Sequence, residues 1–326
     1  MYEKIDKTQY TPMMRQYLDI KENYQDSLVF FRLGDFYEMF FNDALIASKE
    51  LEIVLTGRDA GAKERVPMCG VPFHSVDGYI ERLTEKGYKI AIVEQLELPG
   101  EKKIVKRDVT RVITPGTKMD EKSLDEKNNN YIGCIEKVNN SFVFAYIELT
   151  TGDAKVTEYT SFDIAINQIN KLNIKEVVVN KTFPTNYRHL LNKVYGILVS
   201  EVAKIELNSY QENLFDNIKE DYLEPCKRLL FYILNTQKRA LFHLLPFELY
   251  TNKDYLGLDL AAVKNLELVE SLKGAKNKNN LFSVLDRCST AMGSRYLKQS
   301  ILFPLVNLNK INQRLDIVEA SYKKQI

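Results

Sequence analysis

The sequence predicts a multidomain protein: an α/β domain, a second and smaller α/β domain, and then an all-α segment. Three observations carry that prediction. At 326 residues the chain is longer than one hydrophobic core ordinarily serves. Strand-like and helix-like patterns alternate up to about residue 222 with one polar interruption. From Pro225 onward apolar residues recur at helical spacing and strand patterns nearly vanish. The expected division is therefore residues 1–118, a linker at 119–130, residues 131–222 and residues 223–326.

The first domain opens at Thr11-Pro12, an N-cap residue followed by proline where a helix needs no N–H. Met14, Tyr17, Leu18 and Lys21 follow at helical spacing. The apolar run Leu28–Arg32 predicts a buried strand that stops at Gly34. Beyond the glycine the pattern predicts a helix from about Asp35 to Leu51, with Phe40, Phe41, Ala44, Leu45 and Ala47 among its apolar positions. Ile53–Leu55 and Ile90–Val93 predict further buried strands, separated by a Gly- and Pro-rich loop at 57–72 and a helix around Val76–Lys86. Thr114-Pro115-Gly116-Thr117 marks a boundary, and the polar stretch after it, ending in three asparagines, reads as the linker.

In the second domain Tyr131–Glu136 and Ser141–Glu148 flank Val138-Asn139-Asn140, a hairpin signal. Lys155–Tyr159 predicts a third strand, Ile164–Leu172 a helix and Glu176–Val179 a buried strand. In the third region Leu230, Ile233, Leu234, Gln237, Leu241 and Leu244 mark one helix face. Asp259–Leu272, Leu281–Leu285 and Ala291–Leu302 continue the helical pattern. The sequence stops at Lys324-Gln325-Ile326 with no glycine or proline to close that pattern, as expected of a piece of a longer protein.

A net charge of +1, with 45% hydrophobic and 27% charged residues, describes an ordinary globular chain. It argues against a uniformly basic nucleic-acid coat, so any DNA contact must come from local patches. No run approaches 18 apolar residues, which predicts no membrane span. Met1-Tyr2-Glu3-Lys4 lacks the apolar stretch of a signal peptide. Cys69, Cys134, Cys226 and Cys288 form no CxxC pair, and His74, His189 and His243 are equally scattered. Reduced thiols, a cytoplasmic location and no metal site are expected. No GxxxxGK[ST] loop occurs, and Gly274-Ala275-Lys276 lacks its spacing, so no ATP hydrolysis is expected of this chain.

The segment most suggestive of function is Gly34-Asp35-Phe36-Tyr37-Glu38-Met39-Phe40. An aromatic and an acid two residues apart at an exposed tip can wedge into a base stack and hydrogen-bond an unstacked base. Each residue has a plainer reading. Phe36 can be a core aromatic. Asp35 and Glu38, three apart, can form a capping box, and an acid beside phosphates is repelled. Glu38 stays open between the two. Lys102, Lys103, Lys106, Arg107 and Arg111 place five cations within ten positions, and Arg58, Lys63 and Arg65 lie in the loop after the second strand. They read as phosphate contacts or as a solvated face. Glu148 and Asp153 flank Leu149–Gly152 where a nuclease would place metal-binding acids, but two lone acids are weak evidence for that and read as solvated surface.

Several segments together resemble the MutS family of bacterial DNA mismatch-recognition ATPases. They are Thr11-Pro12-Met13-Met14-Arg15-Gln16-Tyr17, Phe31–Phe40 with its Phe-x-Glu pair, Pro67–His74, and Val112–Thr117. Leu258-Asp259, Asn265-Leu266-Glu267 and Thr290–Arg295 are similar to the start of the family's helical core, and Leu149–Gly152 stands out in between. The resemblance implies a mismatch-binding domain, a connector with a ribonuclease H-like fold, and the first part of a helical core and lever. It implies Phe36 and Glu38 as minor-groove readers of mispaired or looped double-stranded DNA. It also implies MutL as a partner, a homodimer, and ATP with Mg held by a C-terminal domain outside this chain. The rival expectation is an interaction and relay module that docks MutL through connector and core, with little DNA binding of its own.

Overall fold

The computed structural model describes residues 6–96, 105–118, 129–239, 241–274 and 279–323. The first domain is a six-stranded sheet between helical layers. Its elements are α1 (Pro12–Asn23), β1 (Ser27–Leu33), β2 (Phe36–Phe40), α2 (Phe41–Leu51), β3 (Thr56–Arg58), β4 (Val66–Pro72), α3 (Val76–Glu85), β5 (Lys89–Gln95) and β6 (Arg107–Ile113). The strand order is β3-β4-β2-β1-β5-β6, with β1 and β5 parallel and the other neighbours antiparallel. Both faces of β1 are covered, which is why its sequence is a continuous apolar run. Leu28 and Phe30 pack with α2 and α3, whereas Val29 and Phe31 pack with Met14, Tyr17 and Leu18 of α1. The four residues at helical spacing in α1 are its buried ones. Lys21 is among them because its Nζ lies 2.8 Å from the buried Asp43 carboxylate. Tyr17 and the Val29 N–H also donate to that carboxylate, at 2.9 and 3.0 Å. Burial nevertheless pushes the Asp43 carboxyl above the usual carboxylate range.

The expected helix from Asp35 to Leu51 is two elements. Phe36–Phe40 is strand β2, and helix begins only at Phe41. Gly34, at φ +57°, takes the first central position of a two-residue hairpin loop closed by the pair Leu33 and Phe36. Glycine suits that position because it enters positive φ without a Cβ clash. Side chains then alternate across the strand, with Tyr37 and Met39 in one core and Phe40 in the other. A capping box at Asp35 and Glu38 is thereby overturned: Glu38 is a strand residue, opposite Phe31 and Gly70. Ile53–Leu55 is likewise not a strand; Val54 is 83% exposed, and pairing starts at Thr56.

The second sheet is built from β7 (Tyr131–Val138), β8 (Ser141–Glu148), β9 (Ala154–Tyr159), β10 (Glu176–Val179), β11 (Leu198–Glu201) and β12 (Glu248–Leu249). Its order is β11-β10-β7-β8-β9-β12. β7, β8 and β9 form an antiparallel meander, and Asn139 at φ +54° turns the first hairpin. β10 and β11 run parallel to β7. Two further helices, α4 (Phe162–Lys171) and the short α5 (Thr185–His189), fall between β9 and β11. α4 packs on one face of the sheet and α6 (Glu220–Gln237) on the other. α6 stops at Lys238 in the left-handed conformation, so Leu241 and Leu244 lie beyond the helix although Leu244 joins the same core.

The stretch after Pro225 is not purely helical, since β12 extends the second sheet beside β9 and Tyr255 bridges Leu305. Helices follow as α7 (Leu260–Asn265), α8 (Leu281–Leu285), α9 (Ala291–Leu302) and α10 (Leu308–Lys323). α7 is shorter than the helix expected over Asp259–Leu272, and no pattern singled out α10. Glu148, read from sequence as a solvated acid, is buried. Its oxygens accept from the N–H groups of Asn130, Thr150 and Thr151 at 2.9, 2.9 and 2.6 Å and from the Thr150 hydroxyl. A carboxylate so used secures the β8–β9 turn. Among the described residues no group of His, Cys, Asp or Glu is arranged to hold a metal ion.

Candidate nucleic-acid interface

The hairpin of β1 and β2 carries an aromatic outward at its tip. Phe36 is 48% exposed although its strand lies in the interior of the sheet. The cover given by α1 reaches Phe31 and Phe40 on the same face but leaves Phe36 out of that core. A large ring left open at the end of an otherwise buried sheet is the informative kind of exposure. Behind the tip, the Phe73 N–H donates to the Asp35 carbonyl at 2.8 Å. The Arg32 guanidinium lies 3.4 Å from the Phe73 ring centroid and 5.5 Å from that of Tyr37. Tyr37 in turn donates to Glu94 of β5. The tip therefore stands on a packed base.

Glu38, two residues on, shares the face of Phe36 by strand alternation. Its Oε2 is ion-paired with Arg58 Nη1. Its other oxygen accepts no hydrogen bond among the described residues. The Arg58 charge offsets the repulsion that an isolated acid would meet near phosphates. Opposite Glu38 sits Gly70; a Cβ there would lie 3.5 Å from Glu38 Cγ and 3.9 Å from Phe36 Cδ1. The missing side chain leaves room beside both, although the Glu38 side chain is only 16% exposed.

The cations separate into different roles. Arg107 joins the face of Glu38 and Arg58, but its guanidinium is engaged. Nε donates to the Arg32 carbonyl at 2.9 Å, and Nη1 donates to Val105 O at 3.1 Å and Gln16 Oε1 at 3.3 Å. Burial, with the neighbouring Arg58 charge, lowers its pKa. Arg107 thus braces the sheet while lending positive potential to the face. Arg111 pairs with Ile92, whose side chain belongs to the opposite core, and its charge acts on Tyr37 there. Lys106 is exposed just before β6, and Lys63 and Arg65 are exposed in the β3–β4 loop. Lys102 and Lys103 lie outside the described residues. The structure therefore brings Phe36, Glu38, Arg58 and Arg107 together and places Arg111 apart.

Arg32, Phe73, Gly70 and Gln16 did not stand out individually in the sequence. An arginine after two phenylalanines gives no sign of stacking on a ring 41 positions later, which only strand pairing supplies.

Comparisons with known proteins agree along the chain. The family models for MutS domain I, MutS domain II and MutS domain III match residues 11–122, 130–245 and 261–326. A DNA mismatch repair protein MutS from Geobacillus sp. (strain WCH70) is 44% identical over 313 residues, which is 95% of this chain and 36% of that protein. The protein of the same name from Acetivibrio thermocellus is 45% identical over 329 residues, covering 94% of this chain and 37% of the relative. That of Clostridium kluyveri is 44% identical over 323 residues, with 95% and 37% covered. The chain spans little more than a third of the length of these relatives.

Proposed function

The chain belongs to the MutS family, and on that premise we propose that it recognises mispaired or unpaired bases in double-stranded DNA by inserting Phe36 into the minor groove. The observation that carries this reading is the half-exposed Phe36 ring on a braced hairpin tip, with a Glu38 oxygen on the same face that accepts no hydrogen bond among the described residues. An apolar wedge unstacks a base step and kinks the duplex at a cost of roughly a few kcal/mol. A mispaired step is already poorly stacked and yields more easily, so the wedge selects defects without reading sequence. Glu38 accepts a hydrogen bond from the displaced base while Arg58 balances its charge. Lys63, Arg65 and Lys106 meet phosphates and set position, with Arg107 adding potential from within the sheet.

The finer architecture follows the same reading. The β7–β8–β9 meander with β10 and β11 parallel beside β7 supports a ribonuclease H-like connector. We divide the chain into the mismatch-binding domain at 1–118, a linker at 119–130, the connector at 131–222 and the start of the helical core from 223. ATP and Mg binding, homodimer formation and MutL docking are assigned to the longer protein in a cytoplasmic setting. No helix among the described residues is long and apolar enough to cross a membrane.

The test compares intact protein and Phe36→Ala, each in the full-length product of the reading frame that carries this chain, on a G·T duplex and its homoduplex. Aromatic stacking contributes roughly 1–3 kcal/mol, so discrimination should fall by roughly five- to 150-fold. Equal discrimination by both proteins would sink the assignment.

A further inference from the structure

A buried carboxylate ties the turn that leaves the first sheet to the second, alongside the packing of α6 against β6. Glu176 begins β10 and has no exposed surface. Its Oε2 accepts from the Gly116 N–H at 3.0 Å and from the Thr114 hydroxyl, both in the turn that leaves β6 of the first sheet. Its Oε1 accepts from Ser200 Oγ on β11 and from the Tyr232 hydroxyl on α6, each at 2.5 Å. Among the described residues it makes no ion pair, and these four donors fill its two oxygens. The turn is itself closed by Thr114 and Thr117, whose hydroxyls lie 2.8 Å apart, and Gln237 Nε2 of α6 donates to Thr117 O at 3.1 Å. Gly116 permits the approach: a Cβ there would come within 2.7 Å of Glu176 Cβ. Buried polar groups are hydrogen-bonded, and this one divides its two oxygens between two units.

The place of the anchor gives it leverage. β6 runs from Arg107, opposite Gln95 at the reading end of the sheet, to Ile113 opposite Ile90 at the far end. At about 3.3 Å per residue the Phe36 end lies about 20 Å from the turn that Glu176 grips. A rotation of about 5° at that turn would displace the tip by about 2 Å over that length.

We propose that Glu176 is a positioning residue for mismatch recognition, fixing the orientation of the wedge-bearing sheet relative to the second sheet. The proposal rests on the wedge reading above. Through this carboxylate the two sheets act as one body, and the strain of a kinked duplex at Phe36 passes to β10, β11 and α6.

The experiment uses the full-length protein with one spin label in the β3–β4 loop and one on the exposed face of α4. The distance distribution is measured without DNA, and G·T-to-homoduplex discrimination is measured separately. Glu176→Gln, which keeps the shape and adds donors where donors already converge, should broaden the distribution and lower discrimination about tenfold. Thr114→Val should act in the same direction and Thr114→Ser should restore both readouts. If Glu176→Gln does not fold, the Thr114 pair decides on the same two quantities. An unchanged distance distribution overturns the proposal, and so does a broadened one with discrimination intact. A mere loss of packing would lower the unfolding midpoint and move neither. Failure of the wedge reading shows separately, as unaltered discrimination in Phe36→Ala, and the DNA-free distances still decide whether Glu176 joins the sheets.

Discussion

Both sheets have six strands and helices against them, yet they spend their charged residues differently. Under its helices the first sheet also keeps the buried pair Lys21 and Asp43, but Glu38 and Arg58 pair on a partly open face beside an exposed ring. In the second, Glu136, Glu148, Glu176 and Arg228 are buried and bonded inward. The pair is part-buried, with the Glu38 side chain 16% exposed, and an ion pair near a surface contributes only about 1 kcal/mol to folding. A buried pair is costly to break because the survivor stays desolvated. The contrast separates a surface kept for contact from an interior kept for shape.

The largest expected effect is in the second sheet. Arg228 has no exposed surface and donates to Glu136, Glu224 and the Val202 carbonyl. Burial holds the Glu136 carboxyl above its usual range even with that partner. Arg228→Ala should cost about 3–5 kcal/mol in urea unfolding. A loss below about 1 kcal/mol would erase the contrast between the sheets.

The first sheet should behave oppositely. Lys63→Ala with Arg65→Ala should change stability by no more than about 0.5 kcal/mol. If both meet phosphates, the slope of log affinity against log salt should become shallower by about 1.8. An unchanged slope would return both residues to the solvated face.

A pH-dependent effect concerns Lys171, at the boundary with the helical region. Its Nζ lies 4.1 Å from the Phe303 ring centroid and donates to Leu258 O at 3.3 Å. Burial brings its pKa down to about 8, so the folded protein releases this proton before the unfolded chain does. Between about pH 8 and the ordinary lysine range near 10.4 the unfolded state binds more protons, and stability contributed by this group rises with pH. Lys171→Met should remove that rise from the difference between the two pH profiles; parallel profiles would contradict it.

Much of this was legible in the sequence where one physical signal acted alone. Met14, Tyr17, Leu18 and Lys21 marked the buried face of α1, and Tyr131–Glu148 marked the first hairpin of the second sheet. The miss at β2 came from two overlapping signals. Ala44, Ala47, Ser48 and Leu51 form a true helical stripe, and extending it back through Phe40 and Glu38 concealed the hairpin encoded at Gly34-Asp35. β4 escaped because Pro67, Gly70 and Pro72 read as loop punctuation, although pairing with β2 and β3 holds them extended. β6 was seen only as a run of cations, without the alternation that sends Arg107 and Arg111 to opposite faces. In the site, residue type exposed Phe36 and Glu38, while Arg32 and Phe73 depended on pairing between distant segments.

The central claim is that Phe36 enters the stack at a mispaired step. The most direct measurement places 2-aminopurine beside a G·T mismatch and follows its fluorescence at saturating protein. Unstacking by the wedge predicts a rise with intact protein and a signal near that of free duplex with bound Phe36→Ala. An equal rise with both proteins would contradict the claim.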